Sequence, residues 1–240
     1  MIYIQGELFR NIPETNYFDG HSADFSKINR NKVVTHNSDY STSQILELKN
    51  NKEIFYMGNF VWFAQNVDIH HPRIIPIPIG LENSEWFPHL NKLEKIKNID
   101  KSNKHIFCTA CFNPTTHPSR TKTLATFMKS GFCKTMLSIN GTWFDLYLGE
   151  LAASSFAICP RGNGIDTHRL WEALYCNTIP VVEDCVNIRG FNLPMVVVKD
   201  YASVTKELLE KELAEIPNRQ YNMNQLDMNY WINYIQSYEN

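Results

Sequence analysis

Hydrophobic residues along the chain fall in short unbroken runs that polar turns separate, and the clearest example lies between residues 154 and 182. The run at 156–159 has the length and composition of a strand buried on both faces, and residues 178–182 repeat it. Between these runs, a Gly-containing turn at 160–164 precedes apolar residues at helical spacing over 168–175. The segment therefore predicts a strand, turn, helix and strand of a parallel sheet.

The same analysis of periodicity predicts short elements before residue 90. We expect strands at 1–4, 32–35 and 53–56 and helices at 43–49 and 61–66. Prolines at 76 and 78 interrupt the apolar run at 73–79. Because proline lacks the N–H group that a central strand donates, this run is predicted to be an edge strand or an extended crossing segment.

A stretch rich in Lys, Asn and Asp at 89–104 separates these elements from a second set. We predict that it links two α/β domains, at 1–88 and 105–222, and that a C-terminal helix lies within 223–240. The further predicted elements are strands at 105–112 and 193–198 and helices at 119–129, 142–153, 204–215 and 224–237.

The turn at 160–164 has the chemistry of a phosphate site. It brings backbone N–H groups and a helix N-terminus to one point, and its two glycines let the backbone approach a ligand closely. Arg161 or Arg169 can add charge-assisted hydrogen bonds to a diphosphate, and Glu172 can accept hydrogen bonds from a ribose diol. The alternative is that Arg169 and Glu172 form a surface pair and that the glycines only make a turn.

The residues that carry a family resemblance are Ser155, Phe156, Pro160, Gly162, Asp166, Arg169, Glu172, Ala173, Leu174, Ile179, Pro180 and Val181. Their pattern resembles the donor-nucleotide motif of GT-B glycosyltransferases, most closely that of the exostosin-like (GT47-type) group. The resemblance implies an α/β, GT-B-like fold with two Rossmann-like halves. The half at 1–88 would be a reduced acceptor-side domain, 105–222 would bind the nucleotide-sugar, and the helix in 223–240 would pack back on the first domain.

The resemblance also implies an activity, the transfer of a sugar from a nucleotide-sugar donor to a hydroxyl group of a glycan or other acceptor. Glu172 would bind the ribose and Arg169 the diphosphate. The predicted donor-binding residues are Arg120, Arg161, Gly162, Asn163, Gly164, Asp166, His168, Arg169 and Glu172. Retaining relatives often carry a second Glu where this chain has Gly164, so the glycine favours an inverting enzyme.

Transfer requires a base that removes the proton of the acceptor hydroxyl, and the polar residues at 36–39 follow a predicted strand of the first half. We predict Asp39 as this base, with His36 second and Glu82 third. An Asx-turn or a helix cap is the alternative role of Asp39. No Asp-x-Asp sequence occurs in the chain. We therefore expect no metal cofactor, and cations and N–H groups must stabilise the departing diphosphate.

Composition restricts the partners. A net charge of −2 over 240 residues gives no electrostatic reason to expect nucleic acid, and no apolar run has the length of a transmembrane helix. The N-terminus lacks a secretory signal and the six cysteines are few for this length, so a cytoplasmic location is expected. The expected partners are a nucleotide-sugar donor and a glycan acceptor. A partner subunit could complete the short acceptor half, which leaves a homo-oligomer open.

Two other functions stay open at this point. The chain could be a non-catalytic nucleotide- or sugar-binding module, and this alternative gains if Asp39, His36 and Glu82 all point away from the cleft. Another α/β enzyme acting on a nucleotide, such as a hydrolase, is less favoured. No Walker A, Gly-x-Gly-x-x-Gly or Gly-x-Ser-x-Gly sequence is present.

Overall fold

The computed structural model describes residues 1–86, 88–137 and 144–239. The strands are β1 (Asn16–Asp19), β2 (Lys32–His36), β3 (Val61–Ala64), β4 (Ile74–Pro76), β5 (Ile106–Phe112), β6 (Cys133–Leu137), β7 (Ser154–Ile158), β8 (Ile179–Glu183) and β9 (Val196–Val198). The α-helices are α1 (Thr42–Glu47), α2 (Asn51–Met57), α3 (Lys92–Asn98), α4 (Pro118–Met128), α5 (Phe144–Ala152), α6 (His168–Tyr175), α7 (Lys206–Glu215) and α8 (Met228–Ser237). Short 3-10 segments lie at Gly6–Asn11, Gly20–Ser22, Phe25–Lys27, Pro88–Leu90, Ile188–Gly190, Tyr201–Ser203, Ile216–Asn218 and Met223–Leu226.

The strands form two sheets whose paired strands are all parallel. The first sheet has the order β1-β2-β3-β4 and the second the order β6-β5-β7-β8-β9. α-Helices lie in the connections β2–β3, β5–β6, β6–β7 and β7–β8, and short 3-10 segments lie in β1–β2 and β8–β9. Residues 65–73 connect β3 to β4 without a helix. The predicted α/β class is confirmed, with one parallel sheet in each half of the chain.

Alternate residues of the central strands belong to different cores, which explains why their sequences are apolar without a break. In β2 and β3, Val33 and Trp62 pack in a core on the outer face of the first sheet, whereas Val34 and Phe63 pack in a core on its inner face. Side chains of successive strand residues point to opposite faces. A strand covered on both faces therefore needs apolar residues at every position.

The inner core is shared by the two halves. It joins residues of the first sheet to Leu148 and Trp171 of the second half. Helix α8 belongs to the same core, and the rings of Tyr234 and Tyr238 lie 6.2 and 5.5 Å from the ring of Phe63. Trp231 packs instead on Phe191 of the second half, at 6.0 Å. The two sheets are therefore held together by buried apolar side chains as well as by the chain connection.

Three predicted elements are wrong, all in the first half. Residues 53–56 lie in helix α2 and residues 61–64 in strand β3, so the two predictions are interchanged. Both segments are only a few residues long, and an apolar run of that length fits a helical and a strand period equally well. Residues 1–4 form no strand because the backbone N–H of Ile4 donates to the hydroxyl of Tyr175 instead of to a neighbouring strand.

The remaining predictions agree with the structure to within a few residues. The proline-containing run at 73–79 supplies β4, which is an edge strand as predicted. The stretch predicted as a linker contains helix α3, whose Ile96 is buried in the shared core. The predicted helix at 142–153 corresponds to α5, although residues 142 and 143 lie outside the described residues.

Strand order places a crevice in the second sheet. From β5, the chain adds β6 on one side and then β7 on the other, so the connections that leave β5 and β7 run in opposite directions. In open parallel sheets, ligands bind at such a switch point, beyond the carboxyl ends of the strands. The loop after β5 and the loop after β7, which contains the predicted phosphate turn, meet at this position.

Candidate functional site

A cleft of about 620 Å³ opens at the switch point, between the two halves. The loops after β5 and β7, helices α5 and α6, and first-half residues such as Asp39 and Ile79 line it. A volume of this size is typical of a small-molecule or cofactor site. Eight of the nine donor-binding residues that the sequence predicts line this cleft. Those eight are Arg120, Gly162, Asn163, Gly164, Asp166, His168, Arg169 and Glu172.

Arg169 is a buried cation whose guanidinium has no hydrogen-bond partner among the described residues. It occupies the first turn of α6, is 8% exposed, and its guanidinium lies 4.7 Å from the ring centre of Tyr147 and 5.6 Å from that of Phe112. Among the described residues, none accepts a hydrogen bond or forms an ion pair with it, and its Nη1 atom is buried without a partner. A charged group in this condition is unfavourable unless something outside the described chain completes it.

Glu172 lies one turn further along α6 and is also buried. The hydroxyl of Tyr147 donates to its Oε2 at 2.5 Å, and Oε1 accepts no hydrogen bond from the described part of the chain. Burial raises the pKa of Tyr147 well above its ordinary value, so the phenol keeps its proton and acts as a donor. The carboxylate is thus fixed through one oxygen while the other can accept from a ligand.

Arg120 is equally buried, at 8% exposure, but each of its three guanidinium nitrogens donates a hydrogen bond. Nε donates to the carbonyl of Arg161 at 2.8 Å, Nη1 to that of Asn113 at 3.1 Å, and Nη2 to that of Pro160 at 3.1 Å. Burial, together with the charge of Arg169, lowers the pKa of Arg120 to about 10, which leaves it charged at neutral pH. Arg120 therefore joins the loop after β5 to the loop after β7.

The two predicted glycines meet different neighbours. A Cβ atom at Gly162 would lie 3.2 Å from Nη2 of Arg120, and a Cβ atom at Gly164 would lie 2.9 Å from the side-chain amide of Asn66. The glycine at 162 leaves room for the guanidinium of Arg120 that joins the two loops. The glycine at 164 lets the loop approach Asn66 of the first half. Glycine is needed at these positions because of the protein's own packing, in addition to any approach by a ligand.

Asp166 joins the donor loop to the first half. Its Oδ2 accepts from the backbone N–H of Ile79 at 2.8 Å and its Oδ1 from the indole of Trp171 at 3.0 Å. Its own N–H donates to Oδ1 of Asn66 at 2.8 Å. Burial raises the pKa of the Asp166 carboxyl to about 6. Asp166 therefore lines the floor of the cleft as a group that holds backbone and side-chain donors in place.

His168 also joins the halves, through Nδ1, which lies 2.8 Å from the carbonyl oxygen of Gly80. A carbonyl can only accept, so Nδ1 carries a proton and Nε2 of the neutral ring has a lone pair. The ring lines both the main cleft and a smaller neighbouring cavity. No described residue is hydrogen-bonded to Nε2.

The three predicted bases occupy different environments. His36 is buried, with Nε2 2.9 Å from the carbonyl oxygen of Pro78 and Nδ1 accepting from the N–H of Asn37 at 2.8 Å. Burial lowers the pKa of His36 to about 4. Glu82 lines the cleft and forms an ion pair with Lys92. Asp39 is exposed at the edge of the cleft, and its carboxylate bonds to no described residue.

Arg161 is the one predicted donor-binding residue outside the cleft lining. Its Nη2 donates to the carbonyl of Asn163 at 3.2 Å, within its own loop. Conversely, the sequence analysis missed Tyr147, Phe112 and Asn66, which contact Arg169, Glu172 or the glycine loop. Apolar spacing indicated a core role for Tyr147, and no sequence signal separates an aromatic residue that flanks a cation from one that only fills a core.

No three His, Cys, Asp or Glu side chains within the described ranges converge to hold a metal ion. Across those same residues, no helix combines the length and the apolar character that crossing a membrane requires. No protein-family model matches the sequence, and no curated protein matches it.

Proposed function

We propose that the chain is a glycosyltransferase with a GT-B-like arrangement, which moves a sugar from a nucleotide-sugar donor to a hydroxyl group of a glycan or other acceptor. The observation that carries the proposal is the guanidinium of Arg169, which is buried at the switch point and has no acceptor in the part of the chain that the structure describes. A diphosphate supplies the acceptor atoms and the negative charge that this group lacks. The meeting of loops from two parallel sheets around one cleft supports the two-half architecture.

The same surroundings favour an anion over a neutral ligand. Neither Arg169 nor Arg120 forms an ion pair with a carboxylate in the described part of the chain. The two cations lie close together, and the Glu172 carboxylate is near Arg169 but beyond ion-pair distance. Helix α6 begins beside them, and the backbone N–H groups of Gly162, Asn163 and Gly164 have no acceptor among the described residues. These donors can share the charge of a diphosphate.

Glu172 supports a nucleoside as the neighbouring part of the donor. Its free Oε1 can accept from a ribose hydroxyl while Oε2 stays bonded to Tyr147. A carboxylate held in this way recognises a diol, because hydroxyl groups donate hydrogen bonds and phosphate oxygens do not. In this arrangement the diphosphate lies on Arg169 and the ribose lies one turn further along α6.

Transfer by inversion needs a base on the side of the cleft opposite the leaving group. In one step, the acceptor oxygen bonds to the anomeric carbon, the bond from that carbon to the diphosphate oxygen breaks, and the acceptor proton passes to the base. The sequence analysis ranked Asp39 first. Nδ1 of His168 is held by the carbonyl of Gly80, and Nε2 has no hydrogen-bond partner among the described residues. We therefore propose His168 as the base and Asp39 as the group that orients the hydroxyl.

A nucleotide- or sugar-binding module is the second candidate, and one observation favours it. His36 and Glu82, two of the three predicted bases, are occupied by the protein's own groups. If Asp39 and His168 serve only to bind a sugar, the cleft would hold a donor without reaction.

Calorimetric titration with UDP, GDP, CMP and dTDP, each with and without EDTA, tests the donor site. We expect one nucleotide to bind tightly and independently of EDTA, and Glu172→Ala to abolish that binding. Failure of all four to bind a folded protein would refute the proposal. With the best donor class identified, hydrolysis of its nucleotide-sugars then separates the two candidates. An enzyme releases nucleotide and His168→Gln lowers the rate by about 10²–10⁴, whereas a binding module releases none.

A further inference from the structure

A second cavity, of about 160 Å³, adjoins the main cleft on the side of the first half. The two cavities share Asp39, Ile79 and His168 as wall residues. The smaller cavity therefore opens beside the position where the proposed donor would present its sugar. Its volume is of the order of one sugar ring, and far below that of a nucleotide.

One wall of this cavity is the side chain of Trp86, which is 46% exposed. The other tryptophans in the described ranges, Trp62, Trp171 and Trp231, are buried. An indole left open to water beside a cavity provides a large, rigid apolar face whose burial by a ligand is favourable. The negative face of its π-system attracts the C–H groups that form one side of a pyranose ring.

The other lining residues include three amides that are held in place by their own hydrogen bonds. The side-chain amide of Asn83 donates to Oδ1 of Asn37 at 3.0 Å, and the N–H of Asn37 donates to Oε1 of Gln65 at 2.9 Å. These amides also bond to Glu7, Tyr17 and Ser38, and each –NH₂ group has a second N–H. A fixed set of amides in the same cavity as an aromatic face suits a ring that carries several hydroxyl groups.

The charges that line the cavity define the class of ligand further. Asp39 is the only Asp, Glu, Lys or Arg among the wall residues that the structure describes, and it supplies a negative charge. A carboxylate accepts readily from sugar hydroxyls, and it repels a second carboxylate. The ligand expected here is therefore a neutral sugar rather than a uronic or sialic acid.

We propose that this cavity is a binding site for one neutral pyranose ring, which stacks on Trp86 and donates hydroxyl protons to Asp39 and His168. The assignment of that ring as the acceptor rests on the proposed function, whereas the binding of a sugar does not. The site would then present an acceptor hydroxyl to Nε2 of His168, at the boundary with the main cleft.

The test uses the indole N–H signals of ¹⁵N-tryptophan-labelled protein, with the Trp86 signal assigned from Trp86→Phe. The probes are the methyl glycosides of glucose, galactose, mannose and N-acetylglucosamine at millimolar concentration, with glucuronic acid as the charged comparison. We expect at least one neutral glycoside to shift the Trp86 signal in a saturable manner. Because Trp86→Ala has no such signal, isothermal titration compares its glycoside affinity with that of the wild type, and we expect a loss of about tenfold. Tyr56→Ala, which removes an exposed aromatic residue from outside the cavity, should leave the binding unchanged.

Three results would overturn the proposal: no neutral glycoside shifts the Trp86 signal, glucuronic acid binds as well as the neutral sugars do, or Trp86→Ala binds as tightly as the wild type. The nucleotide titration separates this failure from that of the proposed function. Nucleotide binding without any sugar shift refutes the pyranose site alone. A sugar shift that persists in a protein without nucleotide affinity supports the pyranose site and removes its role as an acceptor site.

Discussion

Two regions of one cleft wall each contain an arginine that is 8% exposed, and the two differ in how their guanidinium groups are hydrogen-bonded. Arg120, at the start of α4, gives three N–H groups to backbone carbonyls of the surrounding loops. Arg169, at the start of α6, gives none to the described chain and lies between two aromatic rings. The comparison teaches that burial of a cation does not by itself indicate a ligand site. A buried cation indicates a ligand site when the surrounding residues provide no hydrogen-bond acceptor for it.

The largest expected effect follows from removing the unsatisfied cation. Arg169→Gln should weaken binding of the preferred nucleoside diphosphate about a thousandfold, or about 4 kcal/mol, because two charge-assisted hydrogen bonds are lost. Its free energy of unfolding should stay within about 1 kcal/mol of the wild-type value, since no internal hydrogen bond is broken. Isothermal titration and urea unfolding measure the two quantities.

Arg161→Gln is the matched control, because it removes a cation from the loop that precedes α6 but outside the cleft lining. It should change nucleotide affinity much less. Undiminished affinity in Arg169→Gln would mean that the diphosphate does not bind there, and the contrast between the two buried arginines would lose its functional meaning.

Removing Arg120, whose guanidinium is hydrogen-bonded, should mainly lower the stability of the fold, whereas removing Arg169 should mainly weaken nucleotide binding. Arg120→Gln leaves the carbonyls of Asn113, Pro160 and Arg161 without their donor, so we expect the free energy of unfolding to fall by about 3 kcal/mol. Urea unfolding measures this, with Lys122→Gln on the exposed side of the same helix as a control that should be neutral. A variant of unchanged stability that had lost nucleotide affinity would place Arg120 on the ligand instead.

A pH series extends the comparison to buried groups that can lose or gain their charge. His36 has a pKa of about 4 when folded and about 6.5 when unfolded, so the unfolded state takes up a proton first and stability falls as the pH decreases through this window. Asp166 has a pKa of about 6 when folded against 3.8 when unfolded, so stability rises as the pH decreases from about 6 to 4. The two contributions therefore oppose each other.

When the pH falls from 7 to 5, protonation of His36 in the unfolded state should lower the free energy of unfolding by about 2 kcal/mol. Protonation of Asp166 in the folded state should raise it by about 1 kcal/mol. In His36→Gln the first contribution is absent, so the variant should become more stable relative to the wild type on acidification. Urea unfolding of both proteins at the two pH values provides the measurement. A parallel decline of the two proteins would show that His36 is not held neutral in the folded state.

The smallest expected effect concerns the contact that links Arg169 to Glu172. Tyr147→Phe keeps the ring beside the guanidinium and removes the hydroxyl that fixes the carboxylate. Affinity for the ribonucleotide should fall about fivefold, or about 1 kcal/mol, and affinity for the 2′-deoxy nucleotide should change less. An equal loss for both nucleotides would assign the effect to Arg169 and not to recognition of the ribose.

The sequence predicted the strand, turn and helix around 154–182 because several independent signals agree there: unbroken apolar runs, turn residues and one amphipathic helix. It could not separate Arg120 from Arg169. Both are basic residues at the start of a helix that follows a strand, and their difference lies in which carbonyl groups surround them in three dimensions. Trp86 gave no signal either, because its exposure depends on a turn that Gln5, far away in the sequence, holds through hydrogen bonds to Glu82 and Ser84.

The bonds that Asp166 makes with Ile79 and Asn66 have a mechanical consequence. The loop that would hold a donor is also the joint between the two sheets, and a continuous apolar core lies behind it. Neither half can lose its structure without disrupting that joint and that core. Heating should therefore melt both sheets in a single calorimetric transition, with the van't Hoff and calorimetric enthalpies equal, and a ligand on the loop should raise the melting temperature of the entire molecule.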